Sequence, residues 1–161
     1  MEEAIVRVEH LSHRYSVDWA IRDINLEVKS KGVFGLLGSN GAGKSTTMNI
    51  ICGVLNQTEG NVWINNINLR ENPVEAKKFI GFLPQRPPLY PDMTVEEYLT
   101  YCANLRLMEP MEIGKAVERA MARCGVTHFR SRLLRNLSGG YQQRIGIAQA
   151  ICSSSAICCA G

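Results

Sequence analysis

The sequence lacks any apolar run of the roughly 18 residues that a membrane-spanning helix requires. Its N-terminus also lacks the basic start and apolar block of a secretory signal, so we expect a protein that is neither exported nor membrane-spanning. Charge of one sign is scarce, because 18 basic and 15 acidic residues leave a net charge of only +3. This bias is too small to indicate nucleic acid as the main partner. The six cysteines include no Cys-x-x-Cys pair, which favours reduced thiols over a disulfide framework or a zinc site.

What the 161 residues do have is an ordinary globular composition, with 45% hydrophobic and 20% charged residues, enough for about one packed domain. Alternating apolar residues predict strands at 6–8 and 24–28. An apolar run at 33–37 predicts a buried strand that leads into a glycine-rich loop. A helix from Lys44 to Cys52 is expected directly after the loop.

The rest of the chain changes from strand to helix periodicity. In chain order we expect a hairpin at 62–69, a helix at 73–79, a strand at 80–83, helices at 94–105, 113–124 and 141–152, and a strand at 157–160. Thr94 and Glu97 form a capping box at the first of the three long helices. The pattern predicts an α/β fold with an antiparallel β portion before the loop and a helical insertion after it.

The glycine-rich loop carries the strongest chemical signal, because it fits the pattern G-x-x-x-x-G-K-[ST] between a strand and a helix. Its residues are Gly38, Ser39, Asn40, Gly41, Ala42, Gly43, Lys44 and Ser45, and Thr46 follows them in the candidate nucleotide-binding set. Glycines let the backbone curl until its N–H groups point at phosphate oxygens. Lys44 then reaches the β- and γ-phosphates, and the Ser45 hydroxyl ligates Mg²⁺. The loop predicts nucleotide binding and, alone, leaves kinases, GTPases and many ATPases open.

A second motif, Leu137-Ser138-Gly139-Gly140-Tyr141, opens the last predicted helix. Taken alone, Ser138 has a simpler role as the cap of that helix. Its hydroxyl and the N–H groups of Gly139 and Gly140 also suit an anion site at a helix start. The segment resembles LSGGQ, the signature sequence of ATP-binding-cassette (ABC) proteins, with Tyr141 in place of the usual glutamine. Both motifs occur in the order that this family has.

The resemblance covers the whole chain and implies a P-loop ABC ATPase that uses ATP and Mg²⁺. It implies a head-to-tail dimer in which each nucleotide lies between the P-loop of one copy and the signature of the other. Gln85 matches the glutamine that senses Mg²⁺ and the attacking water, with a solvated connector residue as the alternative. Tyr15 matches the aromatic residue that stacks on adenine, with a core or surface tyrosine as the alternative. Lys44 and Gln85 are thus the candidate catalytic residues, and Ser45 and Gln85 the candidate metal ligands.

The resemblance also assigns regions and partners. It implies a nucleotide-binding core at 1–86 and 137–161 and a helical subdomain at 87–136. The expected function is the ATP-binding subunit of a transporter, held at the cytoplasmic face of the membrane by a separate transmembrane subunit, with no nucleic acid as partner. The run FLPQRPPLYPDMTVEEYL is similar to bacterial drug-export and gliding-type ABC ATPases. A nucleotide-binding protein without hydrolysis and a non-transport ABC protein, acting on DNA ends or ribosomes, are the alternatives.

Members of the family place an aspartate and then a glutamate after the strand that corresponds to 157–160. Gly161 falls at the position of the aspartate. The resemblance therefore leads us to expect a chain truncated at this strand. Since the carboxylate that holds the metal and the general base are both absent from the 161 residues, we also expect this polypeptide to have no appreciable ATPase activity.

Overall fold

The structure is a computed structural model that describes residues 4–153 and 155–160. The chain divides into two compact units, one that ends at Phe79 and one that begins at Ile80. The first unit contains an antiparallel sheet and two short helices, and the second contains three longer helices and two parallel strands.

The sheet of the first unit has four strands among the described residues, in the spatial order β2-β1-β3-β4. These are β1 (Ala4–Arg14), β2 (Trp19–Lys29), β3 (Glu59–Ile64) and β4 (Ile67–Asn68). Val6 pairs with Val28 on one side and with Ile64 on the other, so alternate residues of the three long strands share a face. That face is buried and includes Val8, Leu11 and Ile64, as the alternating pattern at 6–8 predicts.

Two helices and one tight turn complete the first unit. Helix α1 (Lys44–Ile51) has Cys52 as its C-cap residue and is followed by Gly53, which has a φ of 68°, and helix α2 (Pro73–Lys78) starts with its proline. Asn65 and Asn66 have φ values of 48° and 63°, the positive pair that a two-residue hairpin loop requires. The predictions of both helices and of the hairpin are confirmed.

The second unit is built on three helices, α3 (Val95–Leu105), α4 (Pro110–Cys124) and α5 (Gly139–Cys152). Their apolar faces form one core that contains Leu99, Met121 and Ile145. Strand β5 (Ile80–Leu83) pairs in parallel with β6 (Ile157–Ala160) over all four residues of each. The elements expected at 80–83, 113–124, 141–152 and 157–160 are therefore confirmed.

The buried strand expected at 33–37 is wrong. These residues form no strand in the described sheets, and their apolar side chains are exposed, Leu37 at 92%. An apolar run indicates a preference for burial. A strand also needs a neighbouring strand whose N–H and C=O groups pair with its own. Leu105 likewise lies on the surface rather than on the apolar face of α3, since it occupies the last turn of that helix.

All six cysteines lie in the described residues, and none of them forms a disulfide bond. Burial raises the pKa of the Cys102 and Cys152 thiols above the usual value. Because the thiolate is the reactive species, these two side chains are poor nucleophiles at neutral pH.

Among the described helices, none combines the length and the hydropathy that crossing a bilayer demands.

The start of α3 is fixed by the capping box that the sequence predicts. The Thr94 hydroxyl accepts the Glu97 N–H at 3.3 Å, and a Glu97 carboxylate oxygen accepts the Thr94 N–H at 2.8 Å. The Thr94 backbone N–H, followed by its hydroxyl, lowers the pKa of Glu97 below its ordinary value of 4.5. The carboxylate is therefore a stabilising group of the folded chain in its ionised form.

We expect Glu97→Gln to lower the midpoint of urea unfolding at neutral pH. A carboxyl group whose folded pKa is lowered stabilises fully above its unfolded pKa and loses that effect as the pH falls through the folded value. The difference between wild type and variant should therefore shrink below pH 4.5. Glu27→Gln, at an exposed carboxylate on β2, is the matched control. A difference for Glu97→Gln that is the same at neutral and acidic pH would contradict this account.

Candidate nucleotide-binding site

The glycine-rich loop has the curled backbone that its sequence predicts. Gly41 and Gly43 have φ values of 84° and 80°, in the left-handed region that favours glycine. The Ala42 N–H donates to the Ser39 carbonyl at 3.2 Å, which tightens the curl. Residues 38–42 are all exposed. Their main chain is therefore accessible to an anion in front of the N-terminus of α1.

The side chain of Lys44 bonds back to the backbone of this loop. Its Nζ donates to the Gly38 carbonyl at 2.8 Å and to the Ser39 carbonyl at 2.7 Å. The positively charged ammonium group therefore lies directly against the curled backbone of the loop. Ser45, next to it at the start of α1, is exposed. A cation and an available hydroxyl are the donor set that phosphate and its magnesium ion require.

Gly43 of the loop packs directly against strand β2. A Cβ atom at Gly43 would lie 2.1 Å from Ile21 Cγ2 and 2.8 Å from the Ala20 carbonyl oxygen. No side chain fits in that space, so the contact requires glycine in addition to the positive φ. The Thr47 hydroxyl and N–H both bond to the Gly43 carbonyl, at 3.0 and 2.9 Å. These bonds fix the same glycine from the side of α1.

Tyr15 lies beside the loop, just after β1. Its hydroxyl is 3.3 Å from Thr46 Oγ1, and the residue is 65% exposed. Nearby, Arg14 and Arg22 lie over the ring of Trp19 with their Cζ atoms 5.6 and 5.1 Å from its centroid. The exposed Tyr15 ring is attached to the phosphate loop and is open to an aromatic ligand.

In the second unit, Ser138 is the N-cap residue of α5, but its side chain makes no capping hydrogen bond. Ser138 therefore occupies the cap position without the side-chain bond that a capping serine usually makes. Gly139 and Gly140 are exposed, and a Cβ at either would meet nothing within 4 Å. The hydroxyl and the first amides of α5 are thus available to a ligand.

Gln142 holds this turn in place, a role that the sequence reasoning missed. Its Nε2 donates to the Leu134 and Leu137 carbonyls at 3.2 Å each. Tyr141 is also accounted for, because its half-buried ring packs edge-on against Phe129 with 4.6 Å between centroids. Arg144 lies over the same ring at 5.5 Å. The residue that replaces the usual glutamine of the signature therefore belongs to the packing of the second unit.

Gln85 is exposed on the connector that follows β5. This connector packs against α5, since a Cβ at Gly146 would lie 2.6 Å from Leu83 Cδ1 and 2.9 Å from Pro87 Cγ. A Cβ at Gly81 would lie 2.0 Å from the Ala150 carbonyl oxygen. These glycines were not predicted as site residues, although a glycine inside a strand or helix pattern is a known signal of close approach.

Each unit therefore brings together a part of the predicted site. The loop residues 38–46 and Tyr15 belong to the first unit, and Gln85, Ser138, Gly139 and Gly140 belong to the second. In the described part of the chain, no group of three His, Cys, Asp or Glu side chains is arranged to hold a metal ion.

Comparison with known proteins identifies the class. A sequence profile of the family described as ABC transporter matches residues 21–160. The chain belongs to this family, and its fold is that of the P-loop ABC ATPases, as the two motifs predict.

Three relatives place the chain more closely. It is similar to the molybdate/tungstate import ATP-binding protein WtpC of Pyrococcus abyssi, 35% identical over 91% of this chain and 42% of that protein. Its fold is similar to that of cbiO1 from Clostridium perfringens, part of the ABC transporter complex cbiONQ, with a TM-score of 0.84 and 28% identity over 99% of this chain and 65% of that chain. The fold is also similar to the dimeric structure of MJ0796, a bacterial ABC transporter cassette, with a TM-score of 0.83 and 28% identity. That match covers 96% of this chain and 72% of the MJ0796 chain. The chain thus spans less than half of WtpC and about two thirds of cbiO1.

We expect Gly146→Ala to destabilise the chain, although alanine is the better helix former. The new Cβ must displace Pro87 and Leu83, and overpacking of this kind costs about 1–3 kcal/mol, against about 1 kcal/mol gained in helix propensity. The matched control is Gly114→Ala in α4, where a Cβ meets nothing within 4 Å and should stabilise by about 1 kcal/mol. Urea unfolding monitored by circular dichroism measures both. Equal stabilisation by the two substitutions would rule out the close contact.

Proposed function

We propose that this chain is the ATP-binding subunit of an ABC transporter and binds MgATP at the loop of residues 38–46. The observation that carries the proposal is the exposed curl around Lys44, seated on β2 by Gly43. Its N–H groups and the positive end of α1 suit a polyphosphate. On binding, Lys44 exchanges the Gly38 and Ser39 carbonyls for β- and γ-phosphate oxygens, which are stronger acceptors for a cation.

The remaining contacts of the nucleotide follow from the family. Tyr15 stacks on the adenine ring, because its exposed face lies next to the loop that holds the phosphates. Ser45 would supply a hydroxyl ligand to Mg²⁺, and Gln85 would supply an amide ligand and help to orient the attacking water. Lys44 and Gln85 are thus the proposed catalytic residues, with Lys44 stabilising the charge that develops on the transferred phosphoryl group.

The second half of each nucleotide site is proposed to come from another copy. Ser138, Gly139 and Gly140 of one copy touch the γ-phosphate bound by the loop of its neighbour in a head-to-tail dimer. Support comes from the uncommitted Ser138 hydroxyl and the open space at both glycines. A similar cassette, MJ0796, is described as dimeric.

Transport would require a transmembrane partner, which would also hold the chain at the cytoplasmic face of the membrane. The similar cbiO1 is described as part of a transporter complex. We propose that residues 87–136 form the helical subdomain that meets this partner, and that 1–86 and 137–161 form the nucleotide-binding core. From the resemblance of residues 82–99, we propose that the chain is of the drug-export or gliding type. The relative WtpC, by contrast, is named as an import protein.

We expect Lys44→Ala to weaken the affinity for MgATP at least about tenfold, since a charge-assisted hydrogen bond is worth about 1.5–3 kcal/mol. Lys115→Ala, which removes the same charge from the exposed face of α4, should change the affinity less than about twofold. Isothermal titration calorimetry of the three purified chains measures this. Equal affinities of wild type and Lys44→Ala, or no binding by wild type, would contradict the proposal.

The 161-residue polypeptide is proposed to bind nucleotide without appreciable turnover. Phosphoryl transfer to water needs a carboxylate on the metal and a group that activates the water, and no Asp-Glu pair of the kind that the family uses occurs among these 161 residues. A phosphate-release assay on this polypeptide should therefore give no more than the buffer rate. Release that disappears in the Lys44→Ala chain would overturn this proposal and leave the binding proposal intact.

A further inference from the structure

His13 is a buried polar residue directly beneath the proposed adenine contact. It lies on β1, is only 7% exposed, and pairs across the sheet with Ile21. Ile21 is the residue whose side chain packs against Gly43 of the phosphate loop. His13 thus occupies the part of the first unit where the sheet supports the nucleotide loop.

The imidazole of His13 contacts Tyr15 and is itself held. The two ring centroids are 4.8 Å apart, with an angle of 86° between the planes, the edge-to-face geometry that aromatic rings favour. His13 Nδ1 lies 3.4 Å from Thr58 Oγ1. That hydroxyl oxygen also accepts the Arg14 N–H at 3.2 Å, and the Thr58 N–H donates to the Ser12 carbonyl at 3.0 Å. The hydroxyl that faces the imidazole is therefore fixed to the β1 backbone on both sides.

The Tyr15 ring has two separate attachments as a result. Its hydroxyl contacts Thr46 in the first turn of α1, and its ring contacts the imidazole of His13. Since Tyr15 is 65% exposed, these contacts limit the rotation of a ring that otherwise faces solvent. A ring that is already oriented binds a nucleobase with less loss of conformational freedom.

Packing alone does not account for a histidine at this position. Its Nε2 is buried and has no hydrogen-bond partner among the described residues. An unpaired buried nitrogen is unfavourable, and an aliphatic side chain of similar size would fill the space without it. The two contacts of the ring, to Tyr15 and to Thr58, are the features that an aliphatic residue could not reproduce.

We propose that His13 is a positioning residue that orients Tyr15 for the adenine base, an inference that rests on the proposed function. His13 acts through Tyr15 and does not itself touch the nucleotide. It therefore affects ligands that carry a purine and has no effect on ligands that consist of phosphate alone.

The test compares two ligands on the full 161-residue chain, MgATP and magnesium tripolyphosphate, each titrated by calorimetry. The quantity measured is the ratio of the two affinities, because a loss of correctly folded protein lowers the number of sites for both ligands equally. For His13→Ala we expect the ratio to fall about threefold to tenfold, the range of one edge-to-face contact. His13→Phe keeps an aromatic edge and should restore the ratio to within about twofold of wild type.

Two further variants complete the test: one changes the hydroxyl that faces His13, and the other is a control at an exposed histidine. Thr58→Val removes the hydroxyl that faces Nδ1 at an exposed position, so the fold should survive, and we expect the ratio to fall about twofold. His10→Ala is the matched control, since this histidine is also on β1 but has a side chain that is 79% exposed and pairs with Asp23. It should leave the ratio unchanged.

The outcomes separate this inference from the function on which it rests. A lower ratio in Tyr15→Ala together with an unchanged ratio in His13→Ala and Thr58→Val overturns the role of His13 and leaves the stacking proposal in place. An unchanged ratio in Tyr15→Ala overturns the stacking and this inference with it. A wild-type chain that binds neither ligand overturns the proposed function itself.

Discussion

The contact between Gly43 and strand β2 is the constraint on which the proposed nucleotide site depends. The glycine has a positive φ, lies where a Cβ would overlap Ile21, and bonds through its carbonyl to Thr47. Its backbone thus joins the sheet, the phosphate loop and the first turn of α1. Lys44 follows directly, and its ammonium group bonds to the Gly38 and Ser39 carbonyls of the same loop.

The second unit also contains close packing contacts that require glycine. Gly81 and Gly146 bring β5 and the connector after it against α5. The connector carries Gln85, and α5 carries the signature turn at its N-terminus. Because glycine contacts of this kind leave no space for sliding, we expect these two parts of the site to move together within the unit. A displacement of the connector is then also a displacement of the signature.

The elements that sequence reasoning predicted are those whose signals are local. The capping box at Thr94, the Asn65-Asn66 turn and the glycine that ends α4 each depend on a few neighbouring residues. The phosphate loop belongs to the same group, because its glycines encode backbone angles directly. Residues 33–37 show the limit, since their apolar character says nothing about which strand could pair with them.

The parts of the site that were missed depend on side-chain contacts that no helix, strand or loop pattern reveals. His13 faces Thr58 from 45 positions away, and no local pattern distinguishes it from an ordinary core or surface histidine. Gln142 bonds to carbonyls in the preceding short turn, which a helix pattern does not reveal. Tyr141 could be recognised as a departure from the signature, but its partner Phe129 was apparent only from the fold.

The most direct test of the account is a calorimetric titration of MgATP into the Gly43→Ala and Gly35→Ala chains. A Cβ at Gly35 meets nothing within 4 Å, whereas a Cβ at Gly43 must displace β2 or the loop. The account predicts that Gly43→Ala weakens binding at least about tenfold, while Gly35→Ala stays within about twofold of wild type. Binding by Gly43→Ala with the affinity of wild type would show that the seat on β2 does not organise the site.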